Sequence, residues 1–220
     1  MWKGVCYMKI CIINGSPKAG KSTSGLLIGY LMPFIKGNEI ITYNVCKMDF
    51  SKIQFSPIQS SDVLIFAFPL YIDSINSALL RFLIELQKRG FKNKNINVYC
   101  IINNGFYEGR QNHIAASIMQ NWCKAAGLAY CQTLGIGAGE MLPFFKDIPL
   151  GHGPNKSIGI AIQKLCQNIL SLNQGEDLFI SPDWPRFLWK IQASLCFWYP
   201  RAKKNGLKIK KLKMFVTNCT

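Results

Sequence analysis

The sequence has no C-x-x-C pair and only two histidines, His113 and His152. A zinc ribbon, a thioredoxin-type dithiol centre and a compact iron–sulfur loop therefore lack their usual ligand spacing, and no metal site is expected. Long apolar runs are missing too. The longest, Val63 to Ile72, is too short to cross a bilayer, and the N-terminal MWKGVCYMKI has neither the apolar centre nor the small-residue cleavage site of a secretory signal. These features predict a cytoplasmic protein. Acidic residues are scarce, 11 against 26 Lys and Arg, and none follows Asp183, after which nine basic residues occur. More than half of the net +15 charge thus belongs to the tail. The rest of the chain is mildly basic, which suits a phosphorylated cofactor and gives no footprint for nucleic acid.

What is present is a core. Of the 220 residues, 49% are hydrophobic, enough for one domain with an appendage. Nine cysteines would suit a disulfide framework, but several fall inside predicted strands and helices of a chain without an export signal, so most are read as reduced core residues. The strand pattern begins at Met8, and the seven residues before it read as an extension.

Short β-rich runs alternate with longer helical ones. MKICIIN (8 to 14), EIITYNV (39 to 45), DVLIFAF (62 to 68), INVYCII (96 to 102) and LAYCQTL (128 to 134) read as strands whose near-continuous apolar character fits a parallel sheet covered on both faces. Between and after them, STSGLLIGYLMPFI, NSALLRFLIELQKRG, RQNHIAASIMQNWCKAAG and SIGIAIQKLCQNILSL carry apolar residues at helical spacing. Ser22 and Asn76 stand near helix starts, Gly90 and Gly127 near stops. The segment 47 to 61 is short and irregular, so the second crossover is read as a loop. The expected fold is α/β, a doubly wound five-stranded parallel sheet over residues 1 to 175. A basic, aromatic, helical extension follows over 176 to 220.

One stretch poses a question. GSPKAGKS, Gly15 to Ser22, fits the nucleotide-triphosphate loop pattern G-x-x-x-x-G-K-[ST] directly after the first strand. A strand, a tight turn and a helix N-terminus gather free N–H groups and the positive end of a helix dipole, which makes a generic anion site. An NTPase also needs a carboxylate at a neighbouring strand end to hold magnesium, and here the third strand ends AFPLY and the fourth IINNG. A flavin asks for something different. In a doubly wound sheet it lies across the C-terminal ends of the first, third and fourth strands, and all three ends offer suitable groups. Gly15 to Ser24 can surround a phosphate with N–H groups, including those around Pro17 and Lys18, and with the hydroxyls of Ser16, Ser22, Thr23 and Ser24. Pro69, Leu70, Tyr71, Ile72 and Asp73 can place an aromatic ring and amides along an isoalloxazine. Asn103, Asn104, Gly105, Phe106 and Tyr107 can approach its other edge.

On "INGSPK…S…S" after the first strand, "FPLYIDSINSALLRFLIEL" at the third and "NNGFYEG" at the fourth, the chain resembles the flavodoxin-like NAD(P)H-dependent FMN reductases and related NAD(P)H oxidoreductases. The resemblance spans roughly residues 8 to 170 and rests on three loops in the right order. It implies an open twisted sheet, bound FMN and hydride transfer from NAD(P)H to the flavin. It also implies a homodimer and a small acceptor such as a quinone or free flavin. Backbone groups of residues 71 to 74 would neighbour N5, and residues 104 to 107 the N1 and O2 edge. Many relatives carry a cysteine-bearing loop between the second and third strands. Here no cysteine lies between Cys46 and Cys100, which argues against a cluster or disulfide role.

Plainer readings stand beside these. Tyr71 and Tyr107 can be rim aromatics, and Asn103 to Gly105 simple turn residues. GIGAGE (135 to 140) lacks the third glycine of a dinucleotide fingerprint and reads as a flexible loop. His113 is expected on an exposed helix turn and His152 in a loop, and the chemistry requires neither, because hydride transfer is carried by the cofactors. A flavodoxin-type electron carrier without a nicotinamide site is the alternative, although such proteins are usually acidic. A P-loop NTPase ranks below it. In the tail, Phe187, Leu188, Ile191, Leu195 and Trp198 recur at helical spacing ahead of a basic cluster. Docking on a packed or dimer interface is preferred there over contact with an anionic membrane.

Overall fold

The run Val63 to Pro69, VLIFAFP, shows how this chain builds its sheet. Its residues through Phe68 are all buried. The two-residue side-chain period sends Leu64, Phe66 and Phe68 into one core and Val63, Ile65 and Ala67 into another. A strand with apolar residues on both faces is stable only with helices on both sides, and that is the architecture seen in the computed structural model, which describes residues 7–47, 49 and 52–210.

The strands are β1 (Lys9–Asn14), β2 (Glu39–Asn44), β3 (Val63–Pro69), β4 (Asn97–Asn103), β5 (Ala129–Ile136) and β6 (Leu178–Ile180). All pair in parallel in the order β2-β1-β3-β4-β5-β6. The helices of this unit are α1 (Thr23–Ile35), α2 (Ser56–Gln59), α3 (Ser77–Arg89), α4 (His113–Ala126) and α5 (Lys156–Ser171). Leu79, Phe82 and Leu83 of α3 and Met119 and Trp122 of α4 cover one face. Leu27 and Leu31 of α1 and Ile162, Leu165 and Ile169 of α5 cover the other. Each such side chain, fully buried, contributes about 1.5–3 kcal/mol.

The helix boundaries have local causes. Ser22 Oγ accepts the N–H of Gly25 at 3.1 Å, and Asn76 Oδ1 accepts that of Leu79 at 3.1 Å, so both predicted N-caps act as caps. Gly90 and Gly127 end α3 and α4 with φ of 69°, which glycine adopts without a Cβ clash. The irregular second crossover holds a 3-10 turn, Val45–Lys47, and the single helical turn of α2.

Two expectations are corrected. The sheet has six strands rather than five, and residues 178–180, assigned from sequence to the extension, pair with Leu134, Gly135 and Ile136 of β5. Asp177 secures this short strand by accepting the N–H of Thr133 at 2.7 Å and the hydroxyl of Tyr130 at 2.8 Å. Gly135 leaves room for the Phe179 ring, which a Cβ there would strike. The first compact unit accordingly runs to Asp183 instead of 175, and a second begins at Trp184. In the second, α6 (Arg186–Gln192) runs through a wider π-helical turn, Ala193–Trp198, into α7 (Tyr199–Lys204).

The seven described cysteines are all free thiols. Burial pushes Cys11 up to about 11 and Cys123 and Cys166 up to about 12, so these thiols stay protonated and unreactive near neutrality. Cys6 and Cys219 lie outside the described residues.

Candidate functional site

The strand register brings Asn14, Pro69, Asn103 and Ile136 to the same edge of the sheet. In this order the chain leaves β1 and β3 toward opposite sides, which opens a crevice at their carboxyl ends where doubly wound sheets hold ligands.

Loop 15–22 crosses that crevice and is tied from several directions. The Gly15 N–H donates to Ala67 O at 2.9 Å, and Asn76 Nδ2 donates to Gly15 O at 2.7 Å. A Cβ at Gly15 would stand 2.9 Å from Leu79 Cδ2 and 3.0 Å from Phe68 Cβ, so the loop lies against the core there. Asn14 Oδ1 accepts the Ser16 N–H at 3.1 Å, and the Cys46 thiol donates to Lys18 O at 3.3 Å. At the start of α1, Thr23 Oγ1 donates to Gly139 O at 3.0 Å and Ser24 Oγ to Asn103 Oδ1 at 3.1 Å. The first helical N–H groups, Thr23 and Ser24, have no intrahelical acceptor and are left for an anion.

A cavity of about 160 Å³ sits at this junction. Ser16, Lys18, Ser22, Thr23 and Ser24 line it from the first loop, and Pro69, Leu70 and Tyr71 from the second. Asn103, Asn104 and Gly105 complete it from the third, together with Glu140. A neighbouring groove of about 500 Å³ shares Lys18, Ser22, Thr23 and Glu140 and adds Lys21 and Lys146. Pro17, Ile72, Asp73, Phe106 and Tyr107 do not line the cavity. Pro17 is exposed, and Ile72 is 98% exposed at the tip of a tight turn. That turn is closed by reciprocal 2.9 Å bonds between Tyr71 and Ser74, with Ile72 and Asp73 both at positive φ (47° and 53°). The Tyr107 hydroxyl turns away and donates to Pro182 O at 3.5 Å.

Glu140 was missed in the sequence, as was the role of Gly139. The only signal was the length of the Gly- and Pro-rich segment after β5. Residues 135–139 are buried, not flexible: Asn104 O accepts the Gly139 N–H at 2.6 Å, and Phe106 O accepts that of Ala138. A Cβ at Gly137 would collide with Tyr107 O, and one at Gly139 would lie 2.9 Å from both Asn103 Nδ2 and Asn104 O. These glycines let two loops stack backbone to backbone.

Asn104 is 2% exposed; its Nδ2 donates to Glu108 O at 3.1 Å, while its buried Oδ1 has no partner among the described residues. An unsatisfied buried acceptor costs about 1–3 kcal/mol, and in a cavity wall it asks for a ligand N–H or O–H. The site therefore suits a molecule with a phosphate at the helix end and hydrogen-bond donors further along. No carboxylate stands at the ends of β1, β3 or β4, which finish in Asn14, Pro69 and Asn103, so the strand-end magnesium ligand of an NTPase is absent among them.

Solved structures share this architecture. An NADH:FMN oxidoreductase in apo form (EMOB) superposes with a TM-score of 0.57 at 14% identity, over 77% of this chain and 91% of that one. The fold is flavodoxin-like. The NAD(P)H:quinone oxidoreductase from Methanothermobacter marburgensis gives a TM-score of 0.53 at 14% identity, covering 74% of this chain and 98% of that one. RosB, solved with a bound 8-demethyl-8-formylriboflavin-5'-phosphate intermediate, gives a TM-score of 0.50 at 14% identity over 97% and 93% of the two chains. No protein-family model and no curated protein sequence matches this flavodoxin-like chain.

Proposed function

We propose that the chain is an FMN-dependent oxidoreductase that passes hydride from NAD(P)H through the flavin to a small planar acceptor. The observation that carries this reading is the cavity at the β1/β3 crevice, with a hydroxyl-rich helix N-terminus at one end and the unpartnered Asn104 Oδ1 in its wall. Neighbours of the same fold that are named for NADH:FMN and NAD(P)H:quinone chemistry support it.

In this reading Ser16, Ser22, Thr23 and Ser24 hold the phosphate with hydroxyls and N–H groups, and Lys18 adds a positive charge at the cavity edge. Asn104 accepts a hydrogen bond from the sugar chain or the pyrimidine edge, and Gly105 leaves open space, since a Cβ there meets nothing within 4 Å. Pro69, Leu70 and Tyr71 bound the ring on the other side. The hydrogen bonds of the Tyr71–Ser74 turn use the N–H groups of those two residues, so the tip N–H groups of Ile72 and Asp73 are the ones left to meet a ring edge. When bound, the flavin supplies the centre that takes and gives hydride, and the protein orients it and excludes water on one face. No protein acid or base is required; His113 Nδ1 lies 3.0 Å from Arg110 O and His152 Nδ1 3.2 Å from Leu150 O, both away from the cavity lining. A homodimer and a cytoplasmic location accompany this reading.

Titration of the purified protein into FMN tests it. Quenching of flavin fluorescence at one equivalent per chain is expected, and no quenching removes the reading. Anaerobic mixing of the flavin-loaded protein with NADH or NADPH should then bleach the flavin absorbance. Loss of that step alone leaves an electron carrier without a nicotinamide site.

A further inference from the structure

Arg186 to Lys204 form one uninterrupted helical run. Phe187 and Ile191 stand four residues apart on one side of α6, and Leu195 and Trp198 follow within the wider π-helical turn, so large apolar residues recur along the whole run. They are 63%, 51%, 58% and 59% exposed, so a stripe of large apolar side chains faces water. Arg186 and Lys190 each precede a stripe residue and flank it. Beyond the stripe come Arg201, with its guanidinium 3.5 Å from the Phe197 ring centroid, and then Lys203 and Lys204. No carboxylate occurs anywhere after Asp183.

We propose that this segment is an interfacial anchor that lies in the surface of an anionic lipid bilayer. The stripe enters the boundary between headgroups and acyl chains, and the flanking Lys and Arg side chains extend to lipid phosphates. Two signals act together, apolar area and positive charge, as stable anchoring requires. Charge decides the occupant. A second copy of this helix would bring only positive side chains against positive side chains, whereas anionic headgroups supply the missing counter-charge. A spanning role is excluded for the described residues, where no helix is long and apolar enough to cross a membrane. This proposal takes the membrane reading over the docked helix preferred from sequence, on the ground of charge.

The test is cosedimentation of the full-length protein with vesicles of phosphatidylcholine and phosphatidylglycerol, compared with phosphatidylcholine alone. Binding at least about tenfold stronger to the anionic vesicles, and weakened by 0.5 M salt, is expected. The double variant Ile191→Glu, Leu195→Glu should lose about tenfold or more of that binding with an unchanged thermal midpoint. Should that variant fail to fold, limited trypsin digestion of the wild type gives an independent reading, because anionic vesicles alone should protect the sites at Arg186 and Lys190. Wild-type protein that stays in the supernatant with both vesicle types overturns the proposal, and so does a folded double variant that binds as well as wild type. Self-association abolished by Leu195→Glu, without vesicle binding, makes the stripe an interface between copies and also overturns it.

Discussion

The two loops that face each other across the β1/β3 crevice are built in opposite ways. Loop 15–24 is held by bonds from Ala67, Asn76, Gly139 and Asn103, contributed by four separate parts of the chain. Turn 71–74 is closed on itself by the Tyr71–Ser74 pair, its base anchored by the Leu70 N–H to Asn103 O at 2.7 Å, and it carries an exposed isoleucine at positive φ. A phosphate is small and always charged, so a fixed cradle holds it without reordering on binding. In the proposed reading the ring side admits two different partners in turn, and a protruding, strained turn can shift without disturbing the sheet.

Breaking the fixed loop should have the largest effect. Gly15→Val pushes branched methyls into Leu79 and Phe68, and FMN affinity should fall by about a hundredfold or the fold should lose about 2–3 kcal/mol. Fluorescence titration and urea unfolding separate the two outcomes. Alkaline pH acts on the core that carries both loops. Burial raises Cys11 to about 11 and Cys123 and Cys166 to about 12 from an ordinary 9.0. The unfolded chain therefore loses these protons first, so stability is full below pH 9.0 and should drop as pH rises from there toward 12, measured by the urea midpoint.

Asn104→Ala tests the cavity wall between the loops. It removes an acceptor that has no partner among the described residues together with the Nδ2 bond to Glu108 O, so FMN binding should weaken about tenfold while the apo protein loses about 0.5–1.5 kcal/mol. Lys21→Ala sharpens the contrast from the other side. Lys21 is exposed and lines the neighbouring groove rather than the cavity, so FMN affinity should fall by no more than about fivefold. Magnesium-dependent ATP hydrolysis abolished by this change would return the loop to the NTPase reading. Ile72→Asn should have the smallest effect and the opposite sign, stabilising the apo protein by roughly 0.5–1 kcal/mol, because asparagine tolerates the left-handed region better than a β-branched residue. A loss of stability there would show that the turn is not strained.

Much of this was legible before the structure. Apolar runs of strand length alternating with helical periods specified the parallel sheet, and Ser22, Asn76, Gly90 and Gly127 marked the helix ends because capping is a local interaction. Loop 15–24, Pro69 to Tyr71 and Asn103 to Gly105 were expected together, and they meet at one cavity because strand ends in a doubly wound sheet converge whatever their sequence distance. The rest depended on contacts between distant segments. Leu178–Ile180 is too short to carry a period, and becomes a strand only because Asp177 and Gly135 offer it an edge. Tyr107 was expected at the site and Glu140 was not, yet Glu140 lines the cavity and Tyr107 does not, because the loops stack closely at Gly137 and Gly139 and Thr23 bonds to Gly139, 116 residues away. Local sequence determines what a segment can form and where it stops. Which side chains share a cavity follows from backbone approaches as close as those at glycine, and these exist only after the sheet has assembled.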